Sequence, residues 1–382
     1  MRARELERGV RVGLVLDEFP YLVSQTKELP SILQLWWDTE GLHSPLFVVL
    51  CGSRLSAMAA LGAETSPLYG RFSAVLRMEP MRYDDVSAFY QGYTGYGAIE
   101  KLLMYGALGG TPRYHAMVDA AKPWNEQIVD LMMRPGSPLE TEPRFLLSSE
   151  QIRDSSPYNA ILGAVAHGRT QYGQILSATG IGGTVLASFL KTLIGLGWIR
   201  QERSYGEATD RRSMYRLADP FLTFWYRFGA PLASALQFDD PQLVFEQRVA
   251  PYLEDYMGWS VFEGVCGQWL QRHAKVTLGL TIRSLGRYWS RDGSNEIDLL
   301  ADLDDGSRLF GECKLSARSE VGVDVYMSLR GKVARLPQAR WGVGASYALF
   351  SMGGFTDELG RLASAERFLH LIDGEMLYPG AE

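Results

Sequence analysis

Asn295-Glu296-Ile297-Asp298-Leu299-Leu300-Ala301, then Asp304-Asp305-Gly306, then Arg308-Leu309-Phe310-Gly311-Glu312-Cys313-Lys314 reads as two strands joined by a tight turn. Side chains alternate along a strand, so Glu312 and Lys314 share a face and Cys313 turns the other way. A three-residue Asp304-Asp305-Gly306 loop with a left-handed Gly306 would set Asp298 directly opposite Glu312. Two carboxylates side by side repel unless a cation lies between them, which is how a Mg²⁺ site is made. The neighbouring ammonium can orient water or steady a phosphorane. Ile297, Leu299, Ala301, Leu309 and Leu315 flank these charges, so at least one face is expected to be buried, and buried charges need partners or a metal. The alternative is a solvated, charged hairpin.

Upstream, Gly286-Arg287-Tyr288-Trp289 ends a strand whose Arg287 either approaches a phosphate or sits in solvent at a sheet edge. A helix from Tyr252 to Leu270 carries Val261-Phe262-Glu263. Earlier still, helices are predicted over Pro157 to Ala166, Tyr172 to Ala178 and Thr184 to Leu196, separated by glycine-containing turns. A hairpin of Trp198 to Glu202 with Ser213 to Leu217 follows, and the whole is a winged helix. On its third helix Thr184, Ser188 and Lys191 recur at helical spacing and could meet DNA. Arg200, Arg203, Arg211, Arg212 and Arg216 in and around the hairpin could reach phosphates, diluted by Glu202, Glu207 and Asp210. A winged helix serves equally well for packing against its own core or another subunit. The aromatic run from Phe221 to Phe228 reads as core packing before base stacking.

In the N-terminal part, the apolar runs Arg11 to Leu16 and Leu46 to Cys51 flank a helix from Leu29 to Trp37, a β-α-β pattern. The first run ends in Asp17-Glu18 and the second in Gly52-Ser53-Arg54, at strand edges where ligands bind in open α/β sheets. From about Asp84 to Ala120 the chain reads as helical, broken at Gly109-Gly110-Thr111-Pro112.

Leu16-Asp17-Glu18-Phe19-Pro20-Tyr21-Leu22, Leu50-Cys51-Gly52-Ser53, Pro67-Leu68-Tyr69-Gly70-Arg71 and Gly109-Gly110-Thr111-Pro112-Arg113-Tyr114 occur in one order, and in that order the chain resembles the archaeal-type P-loop ATPases. The resemblance implies ATP as ligand, Asp17 and Glu18 as the Walker B pair, Ser53 as a sensor near the γ-phosphate, Arg71 as an arginine finger able to act in a neighbour's site, and Arg113 as a lid contact. The Glu-Ile-Asp and Glu-Cys-Lys of the hairpin resemble the PD-(D/E)XK nucleases. That resemblance makes Asp298 and Glu312 metal ligands for Mg²⁺, Lys314 the catalytic lysine, and Glu263 an additional acidic ligand. The fold class implied is α/β multidomain: a truncated AAA-like P-loop core over 1–83, a helical lid over 84–150, a winged helix over 151–230, a linker over 231–250 and an α/β restriction-endonuclease-like domain over 251–382.

One departure is chemical. The sequence contains no G-x-x-x-x-G-K-[ST], the loop whose N–H groups and lysine cradle a triphosphate. Gly180-Ile181-Gly182-Gly183-Thr184 lacks the lysine and reads as a turn. The chain is therefore expected to be the back part of a longer protein.

Composition narrows the rest. A length of 382 residues suggests two or three domains, and 46% hydrophobic with 21% charged residues is the composition of an ordinary globular protein. Leu46 to Cys51, the longest strongly apolar run, is too short to span a bilayer, and the charged N-terminus has no secretory pattern, so a cytoplasmic location is expected. Cys51, Cys266 and Cys313 form no CxxC pair, which argues against zinc and a disulfide framework. His43, His115, His167, His273 and His370 show no ligand spacing. A net charge of −6 excludes wholesale coating of nucleic acid but not a local basic patch. Two function classes remain: a Mg²⁺-dependent enzyme acting on DNA, possessing an ATP-linked half and able to form a homo-oligomer, or a DNA- or protein-binding regulator with silent sites.

Overall fold

A computed structural model describes residues 12–150, 152, 154–207, 209, 213–316, 319–336 and 344–380. It is a mixed α/β structure in two compact units, one formed by residues up to Glu79 with Arg144–Ser155, the other by Pro80–Pro143 with Ser156–Glu382. The 1–83, 84–150 and 151–230 segmentation does not follow this division. The stretch Arg144–Ser155 returns to the first unit, and Pro80–Pro143 and Ser156–Glu382 cluster together.

In the first unit β1 (Val12–Leu16) pairs in parallel with β2 (Leu46–Leu50), with Val12 beside Leu46 and Leu16 beside Leu50. The connection runs through α1 (Phe19–Gln25) and α2 (Leu29–Thr39), each started by a proline whose missing N–H costs nothing in a first turn. Phe19, Leu61 and Leu68 are buried, and Leu16, Val23, Leu33, Leu50 and Met58 pack around them. Glu150 holds the start of α3 (Leu55–Leu61): its carboxylate accepts from Ser56 Oγ at 2.6 Å and from the Leu55 N–H at 3.2 Å.

The second unit contains α4 (Ser156–Ala166), α5 (Tyr172–Thr179) and α6 (Gly183–Gly195), followed by the antiparallel β3 (Ile199–Glu202) and β4 (Met214–Leu217). A reciprocal Gln171–Gln174 capping box starts α5, and Ile175, Leu186, Leu190 and Leu193 turn inward. Phe221, Phe224, Trp225, Tyr226 and Phe228 are all buried. Residues 231–250, expected as a linker, are largely helical: Asp240 caps Pro241–Arg248, and Leu236, Val244, Phe245 and Val249 are buried. Its proline and polar residues mimicked a linker, but enough apolar side chains remained to anchor it in the core.

After a helical run that ends in α7 (Glu263–Leu278), the chain builds a five-stranded sheet ordered β5 (Ile282–Trp289), β6 (Glu296–Leu303), β7 (Arg308–Lys314), β8 (Ala345–Ser351), β9 (Leu369–Ile372). Pairing is antiparallel through β7 and parallel beyond it. One side packs Leu300, Phe310 and Leu349 with Tyr326 and Leu329 of α8 (Val323–Ala334) and Leu359 of α9 (Asp357–Ala365). Toward α7, Trp269 meets Phe350 edge-on at 5.9 Å between centroids. No single described helix is long and apolar enough to cross a membrane. The bent pair α5–α6 passes that test by composition, yet its apolar side chains serve the core.

His115 gives this unit an acid sensitivity. Its Nδ1 meets Tyr90 Oη, its Nε2 lies 2.8 Å from the Gly109 carbonyl, and burial pushes its pKa down to about 4. The unfolded chain binds a proton near 6.5 that the folded one refuses until about 4, so this contribution to stability is lost as pH falls through that interval. Melting followed from pH 7 to pH 4 should show that loss, and His115→Gln should flatten it.

Candidate functional site

Gly306 takes φ +85°, and the Leu303 and Ser307 backbones bond across the turn, so β6 and β7 pair with Leu299 beside Gly311 and Asp302 beside Arg308. The paired register ends at Leu299 and Gly311, and the next residues outward on the two strands are Asp298 and Glu312. Asp298 Oδ2 accepts from the Cys313 N–H at 2.9 Å. Glu312, only 5% exposed, accepts from Lys314 Nζ at 2.9 Å. Cys313 turns away, toward Cys266 on α7, and burial pushes its thiol pKa well up.

A residue the sequence did not single out completes the cluster. Lys332, near the end of α8, donates to both oxygens of Glu312 at 2.8 and 2.7 Å. It is positioned from behind: buried Asn295, at the start of β6, donates to the Lys332 carbonyl at 3.0 Å and accepts from Arg335 at 3.2 Å. Nothing local marks Lys332, because a lysine near a helix C-terminus is commonplace; only tertiary packing brings it to Glu312.

Burial, and then the charge of Glu312, raise the Asp298 carboxyl to about 6, against the pull of the Cys313 N–H and of both lysines. A carboxyl raised by burial and by a neighbouring carboxylate suits a hard cation, and Mg²⁺ needs only one or two protein carboxylates when water and phosphate complete its shell. Asp298 and Glu312 fit such an ion, provided Lys332 releases Glu312. Glu263 does not join them. Its Oε2 lies 3.0 Å from Arg287 and 3.4 Å from Arg216, and among the described residues no group of three or more acidic, histidine or cysteine side chains is arranged to hold a metal. Burial pushes the Glu263 carboxyl up to about 8, with Arg216 pulling it down.

In the first unit, Asp17 and Glu18 follow β1 and Ser53 follows β2, so the parallel pairing brings them together: Ser53 Oγ lies 3.4 Å from Glu18 Oε2, and Cys51 Sγ 3.2 Å from Asp17 Oδ1. Glu18 is the one described non-glycine residue with positive φ, +48°. Arg71 is bound within its own unit, forked onto Asp38 at 2.8 and 2.7 Å and donating to the Pro67 and Tyr69 carbonyls. Arg113 is exposed on the short helix Pro112–His115 of the second unit. Thr184, Ser188 and Lys191 are exposed on α6, and Arg200 is exposed on β3. Arg211 and Arg212 lie outside the described residues.

Comparison with known proteins matches the core of this site to a family. The family model, described as archaeal and bacterial proteins of unknown function, covers residues 225–324. That span contains Glu263, Arg287, Asp298, Glu312 and Lys314. An uncharacterized protein of Methanocaldococcus jannaschii, MJECL04, is 29% identical over 308 residues, covering 79% of this chain and 67% of that protein. Among solved structures, a repair endonuclease from Pyrococcus abyssi is 13% identical over 45% of this chain, at a TM-score of 0.19. The match spans 64% of that endonuclease chain, and at this distance it assigns neither fold nor activity. None of the three shows a nucleotide-hydrolysing family.

Proposed function

We propose that the second unit cleaves phosphodiester bonds in DNA with the help of Mg²⁺, held by Asp298 and Glu312. The observation that carries this reading is the placement of those two carboxylates on neighbouring strands, Glu312 buried and Asp298 partly buried, with the Lys314 ammonium 2.9 Å from Glu312. Bound there, the cation would neutralise phosphate charge and lower the pKa of water. Lys314 would keep its ammonium beside the reacting phosphate and favour the charge that develops on its oxygens. The surrounding apolar strands limit water, which strengthens these interactions. DNA would be presented by α6 through Thr184, Ser188 and Lys191, with Arg200, Arg211 and Arg212 on backbone phosphates. The test is incubation of plasmid DNA with the purified chain and Mg²⁺ or Mn²⁺. Metal-dependent nicking lost in Asp298→Ala supports the reading, whereas nicking that survives in that variant, or binding without cutting by the wild type, sinks it.

The grip of Lys332 on both Glu312 oxygens favours a second reading, a binding protein in which the carboxylate site is permanently closed by its own lysine. For the first unit we propose a nucleotide-linked role for Asp17, Glu18 and Ser53, with Arg71 as a further contact to ATP. What supports it is the contact between Glu18 and Ser53 across adjacent parallel strands and the strained backbone of Glu18. Without the phosphate-cradling motif, no appreciable ATP hydrolysis is expected from this chain alone. Phosphate release with Mg²⁺ and ATP that Glu18→Gln abolishes would overturn that expectation.

A further inference from the structure

We propose that the cavity of about 250 Å³ between the β3–β4 hairpin, α7 and β5 is a binding site for a phosphate group, held by Arg200, Arg216 and Arg287. The three guanidinium groups reach it from three strands. Arg200 and Arg216 are direct cross-strand partners on β3 and β4, and like charges placed opposite one another destabilise a sheet unless something anionic lies between them. Arg287 comes from β5, which is tied to the hairpin: the Tyr205 N–H donates to the Arg287 carbonyl at 2.7 Å, and Ser204 bonds both backbone groups of Trp289.

The second observation is unmet hydrogen-bonding capacity. Arg216 Nε and Arg287 Nε and Nη1 are buried with no hydrogen-bond partner, an arrangement proteins rarely leave standing. Glu263 meets Arg216 at 3.4 Å and Arg287 at 3.0 Å, and Glu296 meets Arg287 at 2.8 Å, yet these contacts leave the three buried nitrogens idle, and Glu202 Oε2, at 3.7 Å from Arg216 and 3.9 Å from Arg287, is itself without a hydrogen-bond partner. Two carboxylates, Glu202 and Glu263, share the lining with the three arginines, with Glu296 on Arg287 as well. Gln268, Gln271 and Ser260 add neutral polar groups, and the Trp259 ring lies 5.9 Å from the Arg216 guanidinium. The volume falls below the roughly 300–1,000 Å³ of drug-sized ligand pockets, which suits one phosphate and its attached sugar. Because the pocket faces hydrogen-bond donors from fixed strands, a tetrahedral oxyanion would use donors that planar carboxylates leave idle.

The phosphate could belong to a free mononucleotide or to the 5′ end of a nucleic-acid strand. Calorimetric titration of the full chain in EDTA keeps the carboxylate site silent, so the result is independent of whether that site cuts. The probes are inorganic phosphate, thymidine 5′-monophosphate, and a short single strand with and without a 5′-phosphate. Binding that needs the phosphate and weakens by about tenfold or more in Arg200→Gln supports the proposal. Arg287→Gln, checked for folding by its melt, should weaken it similarly. A phosphorylated strand that binds more tightly than the mononucleotide identifies a nucleic-acid end; equal affinities identify a free nucleotide. Failure of all phosphorylated probes to bind at millimolar concentration, or binding indifferent to both arginine substitutions, overturns it.

Discussion

Glu263→Ala is expected to lower the melting temperature of the second unit by roughly 5–10 °C, the consequence of about 3 kcal/mol lost from a protein of this size. Glu263 is the common acceptor of Arg216 and Arg287, whose side chains are only 17% and 12% exposed. Its removal takes one acceptor from each guanidinium, leaving Arg287 to Glu296 and Arg216 to the Trp259 carbonyl, each at 2.8 Å, and it is the unmet buried hydrogen-bonding, with the cavity left behind, that costs stability. Glutamine keeps an acceptor in place, so Glu263→Gln should lose much less. The two variants also separate charge from packing through pH. The folded carboxyl titrates near 8 and its ordinary value is 4.5, so between these values the folded state holds a proton that the unfolded chain has released. This contribution to stability is therefore full below 4.5 and declines as pH rises through 8. Glu263→Gln should remove that part of the slope. Thermal melts at pH 5, 7 and 9 check both points; an alanine variant that melts with the wild type would show that water already serves these arginines.

Lys332→Met is expected to tighten divalent-cation binding by about 10–100-fold, the range by which groups surrounding metal ligands tune affinity. In the described structure Lys332 spends its ammonium on both oxygens of Glu312, the same atoms a cation would use. Any ion must first displace it, so its removal converts a competition into simple binding. Lys314, bonded to Glu312 Oε1 alone, should be a weaker competitor. Titration with Mn²⁺ followed by its magnetic resonance signal measures the change without requiring catalysis. Unaltered affinity would place the cation elsewhere. The second reading of the site predicts something further, that cutting appears only in Lys332→Met.

The hairpin was legible because its information is local. Asp304-Asp305-Gly306 demanded a turn, alternation set the faces, and counting outward from Gly306 placed Asp298 against Glu312. The β-α-β of the first unit was equally legible from two short apolar runs around a helix. Other features depended on contacts that spacing does not encode. Lys332 reaches Glu312 only because α8 packs on the sheet, and Asn295 holds that end of the helix through a backbone carbonyl. Glu263 sits on the helix where an acidic residue was expected, but its direction was decided by Arg216 and Arg287, whose positions depend on a hairpin joining β5. Residues 231–250 misled because prolines and polar residues advertise a linker in sequence, whereas four apolar side chains were enough to secure the segment.

The clasp on α3 bears on how the chain is made. Ser56 and Leu55 wait for Glu150, which is synthesised only after the whole Pro80–Pro143 excursion has emerged. A ribosome that has reached only residue 143 has already made both strands of the first unit, but α3 still lacks the carboxylate that fastens its start.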